Sequence, residues 1–160
     1  AEVLQSEDVK GAKFKVALMH IPPVEYQNAW DEFKANDYKD TENTKYHYGT
    51  LGEKVCYPKT DDQFFETAVE LKSTQGMFVG HDHVNNLSID YKGIRLTYGM
   101  SIDYTAYGDI DTMGTQRGCT IITVKPDGTF DCHPENYYQD KYENPDKEKV
   151  TMQVLNEEFN

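Results

Sequence analysis

The chain has 160 residues, 28 of them acidic and 16 basic, for a formal net charge of −12 and a pI near 4.7. That length sustains one domain with a buried core. The charge argues against a surface built for nucleic acid, because affinity for a phosphate backbone rests on Lys and Arg. With 11 Gly and 6 Pro the chain is neither collagen-like nor low-complexity, and no apolar run approaches the ~18 residues of a membrane span.

No signal peptide, lipidation motif or internal repeat is legible. Ala1 is compatible with a removed leader, so targeting leaves the compartment open. The three cysteines, Cys56, Cys119 and Cys132, have no metal-like pair spacing.

In chain order, 3–10 reads as the last turns of a helix and 13–19 (KFKVALM) as a short apolar strand that ends at His20. Pro22 and Pro23 can continue neither a ladder nor a helix interior, so the chain must turn away there. Tyr26, Ala29, Trp30 and Phe33 recur at helical spacing over 26–36. From 37 to 60 no periodicity is found. A polar segment of that length is expected to be a mobile loop or a lid, with Gly49 and Gly52 in it.

Asp61 or Asp62 is placed to cap a helix over 63–73 with a stripe of Phe64, Phe65, Ala68, Val69 and Leu71. Strands follow at 75–79, 86–91 and 93–98. A last hairpin spans 118–125 and 129–135, turning at Lys125-Pro-Asp-Gly-Thr129. In that hairpin Cys132 faces residue 121, 122 or 123, which leaves Cys119 out of register, so all three thiols are read as free. The expected division is a folded part over 1–136 and a polar extension over 137–160. The near-continuous apolar runs at 16–19 and 77–79 predict a sheet with helices on one face and a second apolar face.

The segment Gly80-His81-Asp82-His83-Val84-Asn85-Asn86 carries the chemistry. Strands joined through a helix run parallel, so their C-terminal ends share one edge, and ligands bind at that edge. His20 and the pair His81/His83 all follow apolar strands and are expected to converge there. Neutral imidazole is the commonest metal ligand, and Asp82 and Asn85 are polar neighbours able to orient the rings. His47 and His133 lack such partners and read as structural.

The wording of "VALMHIPPVEY" (16–26), "GTLGEKVCYPKTDDQFF" (49–65), "GMFVGHDHVNN" (76–86) and "GIRLTYGMSIDYTAYG" (93–108) resembles the C-terminal half of the calcineurin-like metallophosphoesterases. Within them it is most similar to the branch related to purple acid phosphatases. The resemblance runs over about residues 13 to 133. It implies the C-terminal half of a four-layer α/β/β/α sandwich, in which His20 and His81 ligate one metal and His83 a second. Tyr98 and Tyr107 would belong to the loops near the substrate.

The reaction so implied is hydrolysis of a phosphate ester by metal-activated water, with two Zn, Mn or Fe ions in the full-length enzyme. The family's other motifs (Asp-x-His, Gly-Asp, Gly-Asn-His) do not occur in the nineteen residues before His20. The chain is therefore expected to need a missing N-terminal half, and by itself to be inactive with no metal or a weakly bound one. The purple-type tyrosinate would also lie in that half, so Tyr98, Tyr104 and Tyr107 do not imply iron. The resemblance leans toward a secreted or cell-envelope setting. The competing expectation is a non-catalytic binding module with at most one metal.

Overall fold

In a computed structural model, the structure describes residues 2–60, 63–103, 106 and 118–136. The polar extension expected from 137 onward lies outside the described residues. The elements are a 3-10 turn at Val3–Gln5, α1 at Glu7–Gly11, β1 at Val16–Leu18, α2 at Glu25–Ala35 and β2 at Thr44–Tyr48. They continue with α3 at Phe64–Leu71, β3 at Gly76–Val79, β4 at Ser88–Tyr91, β5 at Ile94–Tyr98, β6 at Gly118–Val124 and β7 at Phe130–Asn136.

Five strands form one mixed sheet in the order β1-β3-β5-β4-β2. β1, β3 and β5 run parallel, and β4 is antiparallel to both β5 and β2. The fold class is thus α/β with a mixed sheet, as expected for part of a metallophosphoesterase. Among the described residues no helix is long and apolar enough to cross a membrane.

The helical face follows directly from periodicity. Tyr26, Ala29, Trp30 and Phe33 are all buried, and with Phe65 and Ala68 of α3 they meet Met77, Val79, Ile89, Ile94 and Leu96 of the sheet. Tyr26 adds a specific clamp. Its fully buried hydroxyl donates to the Met77 carbonyl at 2.6 Å and accepts from the Thr97 amide at 3.1 Å, bridging β3 and β5. Burial holds this phenol well above the usual tyrosine range, so it stays a neutral donor.

Four expectations are corrected. Residues 3–10 are not the tail of one helix: Ser6 accepts from the Val9 amide and starts α1 afresh. The cap of α3 is Gln63 in the left-handed region, with Asp61 and Asp62 outside the described residues.

The 37–60 segment contains an edge strand. β2 pairs with β4 through Thr44↔Tyr91, Lys45↔Asp90 and Tyr46↔Ile89, with a bulge before Tyr48↔Ser88. Tyr46 stacks on Phe33 at 5.0 Å. The bulge interrupts the period-two pattern, which is why the strand was invisible as an alternation. Gly49 closes it at φ 81, where an added Cβ would lie 2.1 Å from the Asn86 carbonyl oxygen.

The second face of the sheet is apolar only in part. On β1 and β3 it carries Val16, Leu18 and Phe78, but on β4 and β5 it carries Ser88, Asp90, Arg95 and Thr97, and the β6–β7 hairpin lies over it. Phe130 touches Phe78 and Phe14, and the Arg95 guanidinium sits over the Phe130 ring. A Cβ at Gly76 would meet the tip of the Phe130 ring at 2.9 Å, so a larger residue there would push that ring aside. The two strands of the hairpin form a separate two-stranded sheet. Its register, Ile122↔Cys132 and Cys119↔Glu135, keeps the thiols apart, and none of the three cysteines is in a disulfide.

Two measurements check this architecture. Tyr26→Phe strands the Thr97 amide and the Met77 carbonyl in the interior, and is expected to cost about 1–3 kcal/mol, read as a lower urea midpoint. Amide exchange across 44–48 is expected to be slower than across 53–60, because only the former is laddered into the sheet. Equally fast exchange in both segments would remove β2 from the fold.

Candidate metal centre

The β1/β3 ladder, with Val16↔Gly76 through Leu18↔Phe78 in register, continues past the strand ends. The Met19 amide donates to the Phe78 carbonyl at 3.0 Å, and the Gly80 amide to the His20 carbonyl at 3.1 Å. This parallel register carries His20 to the neighbourhood of Gly80-His81. The two imidazole rings lie 5.2 Å apart, centroid to centroid, tilted by 50°.

The backbone turns here at His81 rather than at Gly80. His81 has φ 72, and the Asp82 amide donates to the Gly80 carbonyl at 2.9 Å, which makes a γ-turn centred on the histidine. For a residue with a side chain this conformation costs on the order of 1–3 kcal/mol. It persists because the next residue is firmly held.

That residue is Asp82, buried to 5% exposure. Its carboxylate accepts the Tyr98 hydroxyl at 2.6 Å, the Cys56 amide at 3.1 and 3.3 Å, and His81 Nδ1 at 3.1 Å. Burial, then the bond to Asp82, push the Tyr98 phenol far up, against a smaller opposing pull from Asn85, so Tyr98 is a permanent donor. An ionised carboxylate only accepts, so the bond from His81 fixes the ring proton on Nδ1 and leaves the lone pair on Nε2.

His83 has the same kind of partner, with Nδ1 at 2.8 Å from Asp103 Oδ2. Asp103 is presented by the segment after β5, which closes a cleft of about 630 Å³ walled by Gly80 to His83 and by Gly99 to Asp103.

The expected set is therefore brought together in part. His20 and His81 sit ring to ring, and His83 meets Asp103 in the same loop. Among the described residues, the three side chains whose potential ligand atoms all lie within 4.8 Å of one another are Cys56, His81 and Asp82, not the three histidines. Asn85, expected beside a ring nitrogen, is fully buried and gives Oδ1 to the Glu53 amide at 2.9 Å. Tyr98 is buried as well and contacts Asp82 rather than the cleft. Tyr107 and Tyr104 lie outside the described residues. His47, read as structural, bonds Asp90 at 2.8 Å.

Sequence reasoning missed Cys56 and Asp103. Neither has a spacing that points to the histidines, and both reach the site only through tertiary contacts.

Comparisons with known proteins agree on one family. The chain is 35% identical over 115 residues to the Arabidopsis thaliana protein named probable inactive purple acid phosphatase 14, an overlap covering 72% of this chain and 25% of that protein. It is 33% identical over 109 residues to probable inactive purple acid phosphatase 29 of the same plant, covering 68% of this chain and 24% of that protein. With probable inactive purple acid phosphatase 28 it shares 29% identity over 93 residues. No family model matches the chain, and no solved structure does. The chain spans about a quarter of the length of the curated relatives it matches. With the Gly-His-x-His loop and the parallel strands that present it already described, these matches mean that the chain belongs to the purple-acid-phosphatase-related branch of the metallophosphoesterases.

Proposed function

We propose that this chain supplies the histidine edge of a metal-dependent phosphoesterase site, completed by ligands from the remaining length seen in its relatives. The observation that carries the reading is the tautomer-fixing pair of bonds, His81 to Asp82 and His83 to Asp103, beside the His20–His81 ring pair. A carboxylate behind an imidazole is the usual support of a metal-binding histidine.

The donor set was weighed against the metals that the family implies. Imidazoles suit a cation of the zinc or iron type, whereas a pair of hard cations calls for oxygen ligands. The two carboxylates nearest the rings, Asp82 and Asp103, are each bonded to a histidine. His20 and His81, whose rings lie 5.2 Å apart, therefore fit one imidazole-held cation, while His83 stands apart from them on Asp103. A second cation, and any bridging carboxylate, would draw on residues beyond this chain. A bound cation polarises a phosphoryl oxygen and makes a nucleophile of bound water near neutral pH.

The chain's own contribution is to hold and to shape. Asp82 and Asp103 each take a histidine Nδ1 and fix that ring in rotation, and Tyr98 locks Asp82 in place. The cleft beside His81 and His83 receives the phosphoester, with Met100 and Ile102 forming its apolar wall toward the leaving group.

A second reading is favoured by the printed names of the relatives, which carry the word inactive: a module that binds metal without turnover. One experiment separates the two. In the full-length protein containing this chain, hydrolysis of 4-nitrophenyl phosphate with added Zn²⁺, Mn²⁺ or Fe²⁺ is expected to be abolished by His81→Ala. Asp82→Asn is expected to weaken metal affinity by about 10–100-fold. Metal binding that depends on His81 but gives no turnover with any phosphoester would support the non-catalytic module. Absence of metal binding would sink both.

A further inference from the structure

Cys56 has no role in the reading above, yet its thiol lies within 4.8 Å of potential ligand atoms of His81 and Asp82. We propose that Cys56 Sγ and a ring nitrogen of His81 form a thiolate–imidazole site for a single thiophilic divalent cation, of which zinc is the physiological type. The inference deepens the proposed function and rests on its reading of the histidine edge as a metal edge. It adds a ligand and a metal class that the histidines alone do not specify.

The geometry has three parts. Potential ligand atoms of Cys56, His81 and Asp82 all lie within 4.8 Å of one another, a spacing that one cation can gather by small side-chain rotations. Cys56 is exposed, so an ion and its water can reach the thiol. The backbone of Cys56 is fixed by its amide's bonds to Asp82 at 3.1 and 3.3 Å. The sulfur is thus held near His81 by the same carboxylate that orients the ring.

Of the three groups, Asp82 is the one that does not ligate. Its oxygens already take the Tyr98 hydroxyl, the Cys56 amide and His81 Nδ1, and its side chain is 2% exposed. Drawing it onto a cation would break bonds that are buried and charge-assisted. Asp82 is therefore a positioning residue, and Cys56 and His81 are the donors. On binding, the thiol proton is released to solvent and the thiolate takes its place on the cation. Soft sulfur beside imidazole selects zinc-type ions and discriminates against Mg²⁺ and Mn²⁺. Two coordination positions remain for water, His20 or a ligand.

The test uses Co²⁺ as a spectroscopic stand-in for zinc, on the full-length protein containing this chain and on its Cys119→Ser/Cys132→Ser variant. Both are expected to show a sulfur-to-cobalt charge-transfer band in the near ultraviolet, together with visible d–d bands of a four-coordinate ion. Adding Cys56→Ser is expected to abolish the charge-transfer band with an unchanged circular dichroism spectrum, since the side chain is exposed.

In parallel, Zn²⁺ at a hundred times its Kd is expected to slow iodoacetamide alkylation of Cys56 by about a hundredfold through mass action. Chelation should reverse this, and Cys119 and Cys132 serve as internal controls in the mass spectrum. His81→Ala should remove the protection. Visible cobalt bands without charge transfer would overturn the inference while leaving the histidine edge intact. A charge-transfer band that survives Cys56→Ser, or alkylation of Cys56 indifferent to zinc, would overturn it as well. No cobalt binding of any kind by the full-length protein would overturn both this inference and the metal reading on which it rests.

Discussion

The structure depends on one buried carboxylate. Desolvating an ionised carboxyl group without partners is costly enough that the group would rather be neutral, and Asp82 escapes that cost by collecting donors from three separate parts of the chain. Tyr98 comes from the end of β5, the Cys56 amide from the long segment after β2, and His81 from its own loop. Each of these bonds is worth more in the interior than at the surface, because the alternative for Asp82 is an unpaired charge. The same three bonds decide where the functional groups stand. They hold the strained γ-turn at His81, set its tautomer, and bring the backbone of Cys56 against the signature loop.

Around that anchor the loop is fastened by a ladder of amide side chains rather than by a helix or a strand. Asn86 Oδ1 takes the Thr50 amide, Asn85 Oδ1 takes the Glu53 amide, and Glu53 in turn accepts from the Val84 amide. The 49–56 segment is therefore part of the site's foundation, although it has little regular structure. A loop that looks like a lid by composition is here a strap, because its backbone groups are satisfied by buried side chains instead of by water. The rest of the sheet has its own support: Tyr26 bridges β3 and β5 from α2, which fixes the strand that leads to His81 and His83.

The division of labour within the site explains why a quarter-length chain is informative about its relatives. Everything described here that orients an imidazole is local to this chain. An imidazole edge suits one cation of the zinc or iron type, and a pair of hard cations would call for further oxygen ligands. The β6–β7 hairpin lies over the other face of the sheet, where Phe130 meets Phe78 and the Arg95 guanidinium.

The sequence by itself determined the elements whose signal is periodic. The stripe of Tyr26, Ala29, Trp30 and Phe33 specified α2 and its buried face, the turn residues at 125–129 specified the β6–β7 hairpin, and the apolar runs ending at His20 and before Gly80 specified two strands that end in chemistry. Parallel pairing then made the meeting of His20 and His81 foreseeable, because strand direction alone puts both ends on one edge. Only the tertiary structure decided the rest. The bulge in β2 hid a strand from any alternating pattern. Which face of the sheet is polar depended on what the hairpin brings to it. The partners of Asp82 and His83 lie 26, 16 and 20 residues away, at spacings that no local rule connects. Periodicity is a property of neighbours along the chain, whereas the satisfaction of a buried charge is a property of whatever the fold places beside it.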